Sequence, residues 1–444
     1  MHYAVALVIV VLAGLAGVGS GTPPGYELAL PLVCLLTLSA TAPRIGVALC
    51  VTCFALTETR VYVGPMNLPL VDAVVLGLLL GEVLRLLTRD GLDEPTPGLA
   101  LYALFVGCAV ISALLSSQPA GGLHYVARQY AFYGFAYLLG LLPAMRRHLP
   151  LVLRGLPVVL MAISLTSIGL SIYRIAVAGD VWADHPYDAG PFGAVQEALP
   201  VMLSIFWPIT RLLRTRSGTA AARLLEIALV VAVFLGFAKT GWLVLVAGFA
   251  TVALVESGCN KSYAALRRRL LFFLLAVPLA LFALAIVQTL VDAGSALTRA
   301  IQWVASLEYW LRNPWWGGGP GTAASHLFES VVGFVARRGA AMAATEPHGF
   351  VIKLLPEVGL IGLLAYSAFA LRLGAIVVEG LRTDDLASFR TNAACLAVLV
   401  CIVAHLFVSP DIFSPRTWFE LALVMALHET ATVKRSAQPV LTAQ

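Results

Sequence analysis

Apolar runs that do not alternate with polar residues dominate this sequence, and Leu76–Leu80 and Leu229–Phe234 are two of them. A transmembrane β-barrel requires alternation, so these runs exclude one. Hydrophobic residues make up 60% of the chain and charged residues 12%, against about 25% charged in globular proteins. A water-soluble fold could not cover such a chain with polar surface. The sequence therefore predicts an all-α fold, a polytopic bundle of transmembrane helices.

Candidate spans follow from apolar stretches that end at charges, proline or glycine. They lie at residues 3–20, 28–42, 45–58, 68–87, 99–115, 125–143, 155–175, 195–213, 224–238, 241–256, 270–291, 349–371, 393–408 and 417–429. Several are short, so we predict 12–14 spans. The predicted organisation is transmembrane helices over 1–291, an outer helical loop with the active site over 292–348, further transmembrane helices over 349–429 and a tail over 430–444.

The distribution of basic residues predicts the orientation. With a cytoplasmic N-terminus, most Lys and Arg residues fall on the cytoplasmic side, among them the triplet Arg267–Arg269. The positive-inside rule therefore places both termini in the cytoplasm. The net charge of +5 follows from this orientation and does not indicate nucleic-acid binding. Cys50 and Cys53 form a CxxC inside a span, which we interpret as helix packing rather than metal binding.

The loop over 292–348 is the one long extramembrane segment between predicted spans. Apolar residues recur at helical spacing from Leu297 to Leu311, which predicts an amphipathic helix. Trp303 suits a helix that lies at the lipid headgroups. Residues 313–321 read NPWWGGGPG, a helix stop and turn. A second amphipathic helix is predicted from Thr322 to Arg338.

The order of three motifs resembles the bacterial O-antigen ligase and O-antigen polymerase superfamily. They are Arg299-x3-Trp303, the NPWWGGGPG turn and the run PHGFVIKLLPEVGLIG, which contains His348 and Glu357. In that family an Arg-x(3)-Trp helix, a Pro-x-x-Gly-x-Gly turn and a His before Leu-x-x-x-x-Glu-x-Gly-x-x-Gly frame the outer loop. Two motifs depart from the family: its Arg-x-x-Gly pattern is poorly kept at residues 187–190, and Lys239 stands where its Ser-Arg pair has arginine.

The resemblance implies a GT-C-like bundle in the bacterial inner membrane. It implies transfer of a glycan from an undecaprenyl-diphosphate carrier to an acceptor hydroxyl at the periplasmic face, with inversion and without metal or other cofactor. A ligase would use lipid A-core as the acceptor, and a polymerase a second lipid-linked glycan. The sequence leaves both open. The implied partners are this donor, one of these acceptors and membrane lipid, with no nucleic acid.

Site residues follow from the same resemblance. His348 takes the place of the family histidine, which would act as a general base for the acceptor hydroxyl. The alternative is a structural residue at the start of the next helix. Arg299 would bind the diphosphate through its forked donors, or be an interfacial residue. Lys239 and Arg174, at the outer ends of predicted spans, are the other diphosphate-binding candidates. The supporting candidates are Glu357, Trp303 and His326. The glycines at 317–319 could cradle an anion, although a tight turn is favoured.

A lipid-linked glycan flippase or a secondary transporter is the alternative from another class. Transporters show internal repeats and helices interrupted within the membrane. We find no repeat and no clear interruption in this sequence, which favours the transferase.

Overall fold

A computed structural model describes residues 29–54, 60–63, 66–88, 96–178, 193–236, 238–258, 293–323, 349–409 and 413–436. Within these ranges the protein is all-α apart from one short hairpin, which confirms the predicted fold class.

The first half of the chain folds into helices around a hairpin. The elements are α1 (Ala29–Thr41), α2 (Pro43–Cys53), β1 (Arg60–Val63), β2 (Met66–Pro69), α3 (Leu70–Thr88), α4 (Leu99–Leu115), α5 (residues 119–147) and α6 (Leu149–Ala178). The strands are antiparallel, with Arg60 opposite Pro69 and Val63 opposite Met66. Helix α5 contains two π-helical segments, Val126–Phe132 and Tyr137–Leu141, between α-helical turns.

The second half is helical in every described range. Its elements are α7 (Gly193–Ser217), α8 (Ala220–Leu235), α9 (Lys239–Gly258), α10 (Ala293–Arg312), α11 (Phe350–Gly380), α12 (Leu386–Val408) and α13 (Pro415–Ser436). Side-chain caps fix two of the helix starts. The Thr219 hydroxyl accepts a hydrogen bond from the Ala222 N–H, and the Asp385 carboxylate accepts one from the Ser388 N–H.

The length and apolar composition of several helices agree with a location in the membrane. Leu149–Tyr173, Phe350–Gly380 and Leu386–Val408 are each long and apolar enough to cross a bilayer, and several other helices are apolar but shorter. Twelve predicted spans coincide with described helices. The predicted spans at 3–20 and 270–291 lie outside the described residues, so the number of spans stays a prediction.

Aromatic side chains fill the core where α4, α5, α11 and α13 meet. The Tyr102 ring lies 5.1 Å from the Phe369 ring and 5.0 Å from the Trp418 ring. The Tyr130 ring lies 4.3 Å from the ring of Phe413, just before α13. Such pairs hold helix positions more tightly than apolar burial alone.

Ion pairs mark one end of the bundle, which we call the basic end. They are Arg85–Glu82, Arg147–Glu82, Arg146–Glu429, Arg211–Glu256 and Arg214–Glu226. Two hydrogen bonds connect the helices that carry these pairs at the same end. Asn392 of α12 bonds to His428 of α13, and Arg216 of α7 donates to Thr391 of α12. The opposite end, where α11 begins and α12 ends, is called the turn end.

Helix α11 is broken, and the interpretation that no span is interrupted is therefore wrong. Gly359 has φ 68° and ψ −172°, a region that is essentially restricted to glycine. Pro356, three residues earlier, has no N–H to donate to the preceding turn. The surrounding run is apolar, so hydropathy alone gives a continuous helix and conceals the break.

We predict that Gly359→Ala destabilises the protein. A Cβ at this position would lie 2.2 Å from the Trp315 carbonyl oxygen, in addition to the backbone strain. Strain of this kind costs roughly 1–3 kcal/mol, so the thermal unfolding midpoint in detergent should fall. Gly374→Ala in the same helix is the matched control, since its new methyl would meet no atom within 4 Å and a helical alanine is favoured by about 1 kcal/mol. Equal midpoints for the two variants would contradict the prediction.

Candidate functional site

The turn over residues 313–322 supplies acceptors to the broken part of α11. In an intact helix the N–H groups of Leu360 and Ile361 would donate to carbonyls four residues earlier. Here the Leu360 N–H donates to the Pro314 carbonyl at 2.9 Å, and the Ile361 N–H donates to the Trp315 carbonyl at 3.2 Å. The turn thus replaces the acceptors that the break removes.

The same turn also supplies the donors. The carbonyls of Pro356 and Glu357 lose their helical partners at the break. The Gly318 N–H donates to the Pro356 carbonyl at 2.8 Å, and the Gly319 N–H donates to the Glu357 carbonyl at 3.1 Å. These four backbone groups of α11 therefore have partners in the turn, as buried backbone requires.

Glycine is needed in the turn because the two backbones approach closely. Gly317 and Gly319 have φ values of 72° and 113°. A Cβ on Gly317 would lie 2.6 Å from the carbonyl carbon of Glu357, and one on Gly319 would lie 2.5 Å from the Ser116 side chain. The Gly317 N–H donates to the Asn313 carbonyl. Since the N–H groups of all three consecutive glycines are used within the protein, the segment is a tight turn and not an anion cradle.

Glu357 joins three helices at this position. Its carbonyl accepts a hydrogen bond from the Ser112 hydroxyl of α4 at 2.7 Å. Its carboxylate, only 3% exposed as a residue, accepts one from the Tyr130 hydroxyl of α5 at 2.5 Å. The Tyr130 carbonyl in turn accepts from the Tyr102 hydroxyl. A carboxylate buried this deeply requires strong donors, so Glu357 acts as a connector between α4, α5 and α11.

Tyrosines of α5 contact further buried charged groups. The Lys353 ammonium lies 5.9 Å from the centre of the Tyr125 ring, within the range of a cation–π contact. The Tyr133 hydroxyl donates to the Asp72 carboxylate at 3.1 Å. Tyr130 lies in the first π-helical segment and Tyr133 follows it directly. Single π-helical turns occur often at functional sites.

Several buried ionisable residues were not singled out from the sequence. Asp72, Lys353, Arg416 and Glu420 are each at most 5% exposed. All four lie inside or directly beside predicted spans. An ionisable residue within an apolar span is by itself a functional signal, and that signal was present in the sequence.

The residues predicted to carry chemistry are described to different extents. His348 and His326 lie outside the described residues. Arg299 lies in α10, Lys239 is the first residue of α9, and Arg174 lies near the end of α6. The side chains of these three residues are also outside the described part of the chain. Trp303 lies in α10 and is 36% exposed.

The backbone positions of Arg174 and Lys239 lie toward the turn end. Helix α6 starts at Leu149, close to the ion pair of Arg147 at the basic end. Arg174 follows 25 residues later, about 38 Å along a helix at 1.5 Å per residue. Lys239 precedes Glu256 of the basic end by 17 residues in α9, about 26 Å by the same rise. The helix ends that carry both residues are therefore on the side of the glycine turn.

These features define a helical membrane protein in which a loop helix and a glycine turn dock on a broken helix. Residues 224–367, about a third of the chain, match the family model described as O-antigen ligase. This match confirms the family resemblance over the matched segment. The matched segment runs from α8 through the break in α11, so it contains both the turn and Glu357. No curated protein matches the chain.

We predict that Tyr130→Phe lowers the thermal unfolding midpoint. The change removes a donor from the buried Glu357 carboxylate, and an unsatisfied buried group costs about 1–3 kcal/mol. Tyr173→Phe at an exposed position of α6 is the control and should have no effect.

A double-mutant cycle with Glu357→Gln isolates the contact. Because Tyr130 and Glu357 interact directly, the double variant should lose less stability than the sum of the single losses. Additive losses would mean that the hydrogen bond contributes nothing measurable.

Proposed function

We propose that this protein is a glycosyltransferase that moves a glycan from undecaprenyl diphosphate to an acceptor hydroxyl. The O-antigen ligase domain over residues 224–367 supports a lipid-linked glycan transferase function in general. The acceptor is lipid A-core if the protein is a ligase, or a second lipid-linked glycan if it is a polymerase. The reaction inverts the anomeric centre and uses no metal.

One observation carries the proposal: the segment that matches the family contains the turn, the broken helix and Gly349, the residue that directly follows His348. Gly349, the next residue, has φ 107° and packs against the Phe407 carbonyl of α12, which a Cβ would approach to 2.9 Å. The Gly349 carbonyl accepts the Lys353 N–H at 3.0 Å. The backbone directly after His348 is thus fixed on rigid elements, which is what a catalytic side chain requires.

The break in α11 also bears on the alternative function, that of a lipid-linked glycan flippase or a secondary transporter. Transporters use the freed backbone groups of interrupted helices to bind substrate or ions. Here the carbonyls of Pro356 and Glu357 and the N–H groups of Leu360 and Ile361 are all bonded to the turn. These four groups are therefore not available to a transported solute, so this interruption supports the transferase rather than the flippase or transporter.

The roles of the site residues follow from the chemistry of the donor. A diphosphate leaves as a stable anion, so the enzyme must bind negative charge and activate a hydroxyl. We assign the first task to Arg299, Lys239 and Arg174, and the second to His348. Trp303 and His326 support the loop. Glu357 holds the turn on α11.

We also propose the orientation of the protein in the inner membrane. Five described Arg–Glu ion pairs gather at the basic end, and the positive-inside rule assigns such an end to the cytoplasm. The turn end then faces the periplasm, and both chain termini are cytoplasmic. A donor that is carried in the bilayer could reach the turn end from the outer leaflet.

We expect His348→Ala to lose most transfer and to retain donor binding. A positioned base contributes typically 10²–10⁴-fold, and the donor itself requires no acid. The measurement is turnover with purified lipid-linked donor and acceptor, together with donor affinity. His148→Ala, at the opposite end of the bundle, is the matched control and should retain both activities.

Chelator is added in a parallel arm. Wild-type turnover should be unchanged, because the proposed mechanism involves no metal. Near-normal turnover of His348→Ala would exclude the base role, and loss of wild-type activity with chelator would exclude a metal-free reaction.

We expect Arg299→Glu to weaken binding of undecaprenyl diphosphate by at least tenfold. A hydrogen bond to a charged group contributes about 1.5–3 kcal/mol, and the substitution adds repulsion. Arg312→Glu introduces the same charge change in the same helix, at a residue that is exposed and paired with Glu308, and should leave affinity unchanged. Equal affinity of wild type and Arg299→Glu would remove Arg299 from the site.

A further inference from the structure

A cleft between α7, α9 and α12 opens at the basic end, far from the glycine turn. Its enclosed volume is small, about 20 Å³, and its polar lining consists of Arg211 and Thr215 of α7, Glu256 of α9 and Arg390 of α12. The rest of the lining is apolar or small. This volume is little more than the roughly 10–15 Å³ that one water molecule needs, so the half-open cleft admits a small polar group at its mouth and not a whole solute.

Arg211 is held rigidly at the wall of this cleft. Its guanidinium donates to the Glu256 carboxylate at 2.8 Å and lies 5.7 Å from the centre of the Trp207 ring. Its Nε is buried, and no described residue accepts a hydrogen bond from it. The Arg211 side chain as a whole is 28% exposed, and arginine presents several donors in a fixed fork, so an anion in the cleft approaches the open side of this guanidinium.

The charge of the cleft is positive. Arg390 is exposed, and within the described part of the chain no ion pair or hydrogen bond of its side chain is found. Arg216 donates to the uncharged hydroxyl of Thr391, next to Arg390, so this bond leaves its charge in place. The Glu256 carboxylate is the anion opposite these groups. Two guanidinium groups, those of Arg211 and Arg390, therefore line the cleft with one carboxylate, and Arg216 lies near Arg390 through its bond to Thr391.

An apolar face of α9 leads from the cleft into the membrane region. Val246 and Phe249 are exposed and lie on the same helix face as Glu256, at spacings of three and seven residues. The Phe249 ring also contacts the Trp207 ring at 3.9 Å. Acyl chains could follow this face while a headgroup occupies the cleft, an arrangement that free phosphate would not use.

We propose that this cleft binds the phosphate of an anionic membrane phospholipid in the leaflet at the basic end. Arginine forks match phosphate oxygens in pairs, and basic pockets between transmembrane helices on the cytoplasmic side bind lipid headgroups. The site is separate from the proposed transfer site and does not depend on the transfer reaction.

The test measures binding of phosphatidylglycerol to the purified protein in detergent. The readout is the thermal unfolding midpoint, which rises with lipid concentration when the lipid binds. Phosphatidylcholine and inorganic phosphate are titrated in parallel. The expected result is stabilisation by phosphatidylglycerol at concentrations at least tenfold lower than by either of the other two. Equal stabilisation by phosphatidylcholine would overturn a charge-selective site, and equal stabilisation by inorganic phosphate would overturn the lipid as ligand.

Variants locate the site. Arg390→Gln and Arg211→Gln should each weaken phosphatidylglycerol binding at least tenfold, whereas Arg223→Gln should leave it unchanged. Arg223 is an exposed residue of α8 that does not line the cleft, so the control removes the same charge. Arg390 is exposed, so its replacement keeps the test valid even if Arg211→Gln fails to fold. Equal loss in Arg223→Gln, or no loss in Arg390→Gln, would overturn the proposal.

Discussion

The pairing of the glycine turn with the broken helix is the interaction on which the turn end of this protein depends. Two N–H groups and two carbonyls exposed by the break exchange hydrogen bonds with the turn, backbone to backbone. Buried backbone groups must be paired, so neither partner is complete alone. Ser112 and Tyr130 then tie the same point to α4 and α5 through Glu357. The loop helix α10 is thus held on the bundle by backbone geometry and by one buried carboxylate.

The two ends of the bundle use charge in different ways. At the basic end, arginines pair with glutamates at the margins of the helices, where water or headgroups can share the solvation. Toward the turn end, Lys353, Glu357 and Arg416 are buried, with Lys353 beside the Tyr125 ring and Glu357 bonded to the Tyr130 hydroxyl. Removing charges from solvent is costly unless they are paired. Buried charged residues of this kind are usually functional, and the proposed transfer of a diphosphate-linked glycan is a function in which they would take part.

Much of the helical framework could be predicted from the sequence, because apolar length and helical periodicity are local properties. The predicted span at 99–115 and helix α4 have the same bounds, and the stripe from Leu297 to Leu311 lies within α10. The break at Gly359 was missed because hydropathy does not register backbone angles. The bond between Tyr130 and Glu357 joins residues 227 positions apart, so no local pattern could indicate it. The family motif did identify Glu357, but as a supporting residue and without its partners.

The break in α11 has a consequence for biogenesis. In hydrocarbon every unpaired backbone group costs several kcal/mol, so a spanning helix normally satisfies its own groups before it leaves the insertion machinery. The helix Phe350–Gly380 cannot do so, because four of its groups bond to residues 314–319 and not to one another. Those residues precede it in the chain and are made first. Insertion of this helix is therefore not autonomous: it is completed only when the earlier loop is already on the correct side of the membrane, and an inverted loop leaves the helix unfinished.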